Sequence, residues 1–500
     1  MRPAFLAISL LLVAGEPVRG QVPFDFIEAT ALLEAQRSNL SNRVAVLIYH
    51  GGQEVYSHSF GDIGYDTKTR LASFTKTISA IVILRLADQN LIDLNAPVGS
   101  YIPVLNLRGL GAASTIQCFG MCHGIKTPIA YEIDPRIDLE QSVNRIAATG
   151  TLLFQPGQQL DYDGPGMQIV GRIAELQTAT PWEQIARQQI FDPLDMPQAD
   201  YGYFAPNPAV AGGARSTARE TIQLARMVIA GGEFNGQPIL TRAGVERLFT
   251  NATFQLPVHH SPWPEQDPDY PYGARPDYAF GAWVLAQNPL SGHVEEIVGA
   301  GAWGSYIWMD RRRGLAAVLI TDVPAGWQAS MRAALGLFSI ARQQTDALQL
   351  GGLQIVTPAD GSTLLRFSRP PGASAVRIYG AHKPIRSTLD LHDATVLVSS
   401  TTQQRIAVPA MPHYAATAIY GNQELLALVP RSNTLAMHCR ADLNRDGTVH
   451  HADLSQLLEA LGPPRADHDT ALQHADLDDS GSISSADLAI LLSTYASQCP

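Results

Sequence analysis

Two pairs of strand-forming runs stand at opposite ends of a long helix-rich stretch, and they limit this chain to few architectures. In the first, Val44-Ala45-Val46-Leu47-Ile48-Tyr49 is apolar and runs into His50-Gly51-Gly52, after which Glu54 to Phe60 alternates like a half-buried strand. In the second, Gly304 to Asp310 and Leu315 to Ile320 flank the turn Arg311-Arg312-Arg313-Gly314. A sheet drawing strands from both ends of a region, with helices between, is mostly antiparallel and buries itself under those helices. The predicted fold class is therefore α+β. At 500 residues the chain exceeds what one core usually spans, so smaller units are expected after a large domain at 21–345.

Residues 350–432 change character. Short β-branched stretches such as Ala375 to Tyr379 and Ala394 to Val398 alternate with Gly, Pro and Ser turns, which predicts a small all-β, sandwich-like module suited to spacing or docking. Residues 438–500 carry a repeat. Ala441-Asp442-Leu443-Asn444-Arg445-Asp446-Gly447-Thr448-Val449 returns as Ala475-Asp476-Leu477-Asp478-Asp479-Ser480-Gly481-Ser482-Ile483, each copy running on through Ala-Asp-Leu into an apolar helix.

The first 20 residues have the order of a secretory signal peptide: Arg2, the apolar run Phe5 to Ala14, then Val18-Arg19-Gly20 ahead of Gln21. That run is about half of what crosses a bilayer, so export to the periplasm, the cell surface or the medium is expected, without a membrane span. A net charge of -11 argues against a nucleic-acid binder, which would need a basic face. Four cysteines in an exported chain suggest pairing, Cys118 with Cys122 and Cys439 with Cys499, although free thiols remain open for the first two.

The chemistry concentrates on Leu71-Ala72-Ser73-Phe74-Thr75-Lys76, ahead of a helical apolar pattern from Ile78 onward. A serine hydroxyl is a poor nucleophile until a base takes its proton. Spacing of i,i+3 at a helix start puts Lys76 on the face of Ser73, and the helix N-terminus favours negative charge developing on the serine. The chain has four lysines, Lys68, Lys76, Lys126 and Lys383, so this placement is selective.

Around that pair the chain resembles the serine β-lactamase, D-alanyl-D-alanine carboxypeptidase and class C-like esterase family. The resemblance rests on the Ser-x-x-Lys motif, Leu86-Ala87-Asp88-Gln89-Asn90-Leu91-Ile92-Asp93-Leu94-Asn95-Ala96-Pro97-Val98, Phe154-Gln155-Pro156-Gly157 before Tyr162, Pro193 to Met196, Gly212 to Arg219, and Gly301-Ala302-Trp303-Gly304, in family order over roughly 25–342. It implies an antiparallel sheet flanked by helices plus a helical subdomain. It further implies an acyl-enzyme mechanism without a catalytic cofactor, on a small-molecule or peptide substrate. Tyr162 matches the tyrosine of the family's Y-x-N motif, but Gly164 stands where the asparagine would be. The third motif reads Gly299-Ala300-Gly301, without the family's Lys or His, leaving the amides of Ser73 and Ala302 as the oxyanion donors. Ester or amide hydrolysis on another substrate is therefore expected ahead of action on penicillins, with a non-catalytic binding or assembly role as the alternative. His123 is a candidate rim residue, and His293 is expected to be a surface histidine.

The terminal repeat resembles a type I dockerin. Loop positions one, three, five, seven and twelve fall on Asp442, Asn444, Asp446, Thr448 and Asp453, then on Asp476, Asp478, Ser480, Ser482 and Asp487. Hard oxygen donors with Gly447 and Gly481 at the sharp turns suit Ca²⁺, and the resemblance implies a cohesin-like docking partner.

Overall fold

The computed structural model describes residues 24–427, apart from 263–275, 288–292, 324–326, 349–350, 357–362, 370–372, 384, 386–387, 404, 410, 412 and 421–422. The expected signal peptide, the dockerin-like repeat, Cys439 and Cys499 lie outside the described residues.

Seven strands build the principal sheet: β1 (Val44–His50), β2 (Gln53–Phe60), β3 (Asp277–Tyr278), β4 (Trp283–Gln287), β5 (Val294–Gly301), β6 (Ser305–Asp310) and β7 (Leu315–Ile320). Their order is β3-β4-β5-β6-β7-β1-β2, antiparallel throughout. The predicted hairpins form in register, Val44 facing Phe60 and Asp310 facing Leu315. The long-range join is β1 to β7, where Ala45 faces Ile320. Every residue of β6 and β7 is buried, as strands covered on both faces require.

Alternation along β6 shows the two faces. Trp308 stacks on Phe338 of the helix Trp327–Ala347, their ring centroids 4.6 Å apart. Ser305 points the other way, its Oγ donating to the carbonyl of Leu71 at 2.7 Å. On that second side runs α1 (Thr75–Asp88), buried on nearly its whole circumference. Its polar side chains are satisfied from neighbouring loops: Thr77 Oγ1 donates to Gly281 O at 2.8 Å, and Thr75 Oγ1 accepts from Ala214 N at 3.1 Å. On the Trp308 side the buried carboxylate of Glu296 takes Arg342 Nη2 at 2.6 Å, Arg313 Nη1 at 3.1 Å and Trp308 Nε1 at 3.2 Å, tying the Trp327–Ala347 helix to the sheet.

Beyond residue 350 the described strands fall into two antiparallel sheets. One joins Gly351–Val356, Thr363–Ser368 and Arg405–Val408; the other joins Thr395–Thr401, Ala375–Ala381, His413–Tyr420 and Gln423–Ala427. Leu365 and Val408 of the first share a core with Val376, Ile378 and Tyr414 of the second, which is sandwich packing. Arg242 of the larger domain is bound by Asp390 and Asp393 of this module at 2.9 and 2.5 Å.

The suggested Cys118–Cys122 bridge is corrected: both are free thiols inside the core. Cys118 belongs to the short helix Thr115–Phe119, and Cys122 N donates to Gln117 O at 3.0 Å to close the turn after it, so both side chains are spent on packing. Burial pushes the Cys122 thiol up to about 12, far from a reactive thiolate. Among the described residues, no helix is long and apolar enough to cross a membrane.

Candidate active site

Ser73 stands two residues ahead of α1, in the 3₁₀ turn Ala72–Phe74 that leads into it. Ala72 has φ +46°, a left-handed conformation costly for a residue with a side chain and frequent where a reactive group is held out. The surroundings hold this turn from three directions. Thr69–Arg70 pairs with Arg215–Ser216, Leu71 N donates to Ala214 O at 3.0 Å, and Ser305 Oγ binds Leu71 O. Ser73 is thereby left half-buried at the surface of the core.

Lys76 follows one turn later and is 5% exposed. Its Nζ donates to Ser73 Oγ at 3.1 Å and to Ala211 O at 3.0 Å, and lies 4.7 Å from the centroid of the Tyr162 ring. Lys76 Nζ thus lies over the face of Tyr162. Tyr162 stacks on Trp283 at 4.9 Å, and its backbone N donates to His260 O at 3.0 Å. Tyr162, far along the chain from Ser73 and Lys76, is brought to the same place. A hydroxyl within hydrogen-bond reach of a buried amine is the arrangement a serine nucleophile needs.

The expected third strand arrives as β5. A Cβ on Gly301 would fall on the carbonyl oxygen of Leu71, so this position is glycine because the strand end touches the backbone two residues before Ser73. Ala302 follows in the exposed turn. Next to it Trp303 is covered by the Arg70 guanidinium at 3.3 Å, and Arg70 Nε is bound to Asp322 at 3.0 Å. Arg70 is thus spent on Trp303 and Asp322.

Other expectations meet different fates. His123 is not on the rim: it is fully buried, its Nδ1 accepts from Ile125 N at 2.9 Å, and burial lowers its pKa. His293 precedes β5 at the end away from Gly301, with its Nδ1 2.9 Å from Arg311 Nη2. Two groups near Lys76 went unread in the sequence. Ala211 supplies a backbone carbonyl, which has no residue signature. Glu132, 2% exposed in the short helix Ala130–Ile133, lies where burial and the neighbouring Asp163 raise its pKa to about 8, against the opposing pull of Lys76 and Lys126. The missing third residue of Y-x-N was the signal that some other group had to stand there.

A central antiparallel sheet with a serine, a lysine and a tyrosine gathered at one end defines a class, the serine hydrolases of β-lactamase fold. The family model for Beta-lactamase matches residues 42–337, and the chain belongs to that family. The model for the Dockerin type I domain matches residues 440–493. Protein flp of Staphylococcus aureus strain MW2 is 24% identical over 165 residues, 30% of this chain and 33% of that protein. Esterase EstB of Burkholderia gladioli is 28% identical over 169 residues, 29% of this chain and 40% of that one. The matched stretch thus spans about a third of the first of these relatives. A candidate beta-lactamase from Bacteroides dorei shares the fold with TM-score 0.58 and 21% identity, over 65% of this chain and 99% of its own. An octameric penicillin-binding protein homologue from Pyrococcus abyssi aligns over 80% of this chain and all of its own, with TM-score 0.51 and 15% identity.

Proposed function

We propose that this chain is an exported serine hydrolase that cleaves an ester or amide through an acyl-enzyme on Ser73. In the first half-reaction Ser73 Oγ attacks the carbonyl carbon while its proton passes to the Lys76 amine, assisted by Tyr162. Collapse of the tetrahedral intermediate breaks the bond to the leaving group, which takes the proton. Water then attacks the acyl carbon and restores the Ser73 hydroxyl. The amides of Ser73 and Ala302 receive the oxyanion in this reading. The observation that carries it is the 3.1 Å contact from the buried Lys76 Nζ to Ser73 Oγ. The esterase among the relatives supports an ester substrate. Gly299-Ala300-Gly301, without a cationic side chain, disfavours a penicillin carboxylate as the anchor, and the retention of a buried Lys76 in a chain with four lysines weighs against a purely non-catalytic role.

The C-terminal module gives the second half of the reading, attachment to a cohesin-like partner at a surface. Asp442, Asn444, Asp446, Thr448 and Asp453, with Asp476, Asp478, Ser480, Ser482 and Asp487, form an all-oxygen donor set whose chemistry fits Ca²⁺. The ion would order the two loops and take no part in hydrolysis.

Turnover of short-chain p-nitrophenyl esters tests the first half, in wild type and Ser73→Ala. The expected result is activity abolished by the substitution. Hydrolysis that persists in Ser73→Ala rejects the reading.

A further inference from the structure

The second family motif lacks its third side chain here, and the structure contains something in that space. Gly164 has φ −97° and ψ −21°, a backbone that any L-residue adopts, so the conformation does not require glycine. The neighbour does. A Cβ built on Gly164 would fall on Glu132 Oε2, with Ala211 Cβ 3.3 Å away on its other side. Ala211 is the residue whose carbonyl accepts from Lys76 Nζ at 3.0 Å. Glu132 Oε1 is buried and, among the described residues, has no hydrogen-bond partner. The carboxyl is held there by its short helix, whose Tyr131 carbonyl accepts from Ser142 Oγ at 2.6 Å and from Asn207 Nδ2 at 3.2 Å.

We propose that Glu132 replaces the missing amide of the second motif, its carboxyl filling the space before Gly164 as a positioning residue for Lys76. This rests on the reading of Ser73 and Lys76 as the reacting pair. Facing Glu132 are Lys76 from α1, Asp163 from the Tyr162 loop and Lys126, itself paired with Asp163 at 2.7 Å; on the outer side of its own segment Asp134 is bound by Arg136 and Arg145. Burial raises the Glu132 pKa to about 8, so at neutral pH the group is mostly protonated and presents a neutral carboxyl. Above that pH it becomes a carboxylate, a buried negative charge that opposes the oxyanion formed when Ser73 attacks and so slows acylation.

The test has two arms. In the first, the rate at which a fluorophosphonate labels Ser73 is followed against pH in wild type and Glu132→Gln. Wild type is expected to lose rate above about pH 8, by about tenfold per pH unit, while the isosteric variant keeps its rate to higher pH. Superimposable profiles overturn the proposal. In the second arm, thermal unfolding is measured for Gly164→Asn, Glu132→Ala and the double variant. Gly164→Asn alone is expected to lower Tm, and the double variant to recover it, because only one side chain fits the space. A Gly164→Asn protein as stable as wild type, or a double variant less stable than Gly164→Asn, overturns the proposal. The second arm needs no activity: unlabelled Ser73 in wild type would defeat the hydrolase reading, whereas the unfolding cycle would still decide which side chain occupies the space.

Discussion

The large domain buries two clusters of titratable side chains, one on each side of its sheet, and they are built to opposite rules. On the Trp308 side, Glu296 is matched by Arg313, Arg342 and the Trp308 indole, with Arg313 also bound to Asp310 and Asp346. On the Ser73 side, Lys76, Glu132 and His123 are equally buried, yet Glu132 Oε1 and His123 Nε2 lack hydrogen-bond partners among the described residues. A fully partnered cluster fixes geometry, because losing any member strands the others. An underpartnered one keeps groups whose protonation can change during a reaction, at a cost in stability that the rest of the core must offset.

The contrast is open to direct attack. The largest expected effect is on activity: Lys76→Met should lower acylation of Ser73 by roughly 10²–10⁴-fold, the range for a positioned general base, with little loss of stability because an apolar chain suits that buried site. Stopped-flow ester turnover beside thermal unfolding separates the two, and an active Lys76→Met would erase the distinction between the clusters. Glu296→Ala should do the reverse. It leaves Arg313 and Arg342 buried without their common partner, costing about 3–5 kcal/mol in urea unfolding, while the pH profile of any residual activity keeps its shape.

Glu132→Gln sharpens the same comparison through pH. A carboxyl raised in the folded state contributes stability fully below its unfolded value of 4.5 and loses it as pH rises through about 8. Wild type should therefore lose stability across that window and the variant should lose less. At roughly 1.4 kcal/mol per pKa unit the difference is at most about 4–5 kcal/mol. Equal slopes of stability against pH would place Glu132 with the partnered charges. The smallest effect concerns the thiols. Denaturation without reductant should release both Cys118 and Cys122 to alkylation, and Cys122→Ala should cost only about 1 kcal/mol. A peptide that stays unalkylated until reduced would restore the bridge.

What could be read from the chain beforehand follows from how local each signal is. The hairpins at Val44 to Phe60 and Ser305 to Ile320 were legible because strand periodicity and turn residues are neighbours in sequence. Ser73 and Lys76 were legible for the same reason, one helical turn containing both. The site's other half was not. Ala211 contributes only a carbonyl, and Glu132 reaches the second motif from a four-residue helix, so neither has a period or spacing to betray it. Their only trace was Gly164, a glycine where the family keeps an asparagine, whose meaning depends on a contact across the fold. For the thiols the sequence left both a bond and free groups open, and the core takes both as buried free side chains.

The central claim is that Ser73 is the nucleophile and the buried Lys76 amine its base. Intact protein treated with a fluorophosphonate and analysed by peptide mass spectrometry tests it in one experiment. The account predicts a single adduct on the Ser73 peptide, absent in Ser73→Ala and slowed by at least about 10² in Lys76→Met. An adduct on another residue with Ser73 unmodified, or equal rates in wild type and Lys76→Met, would contradict it.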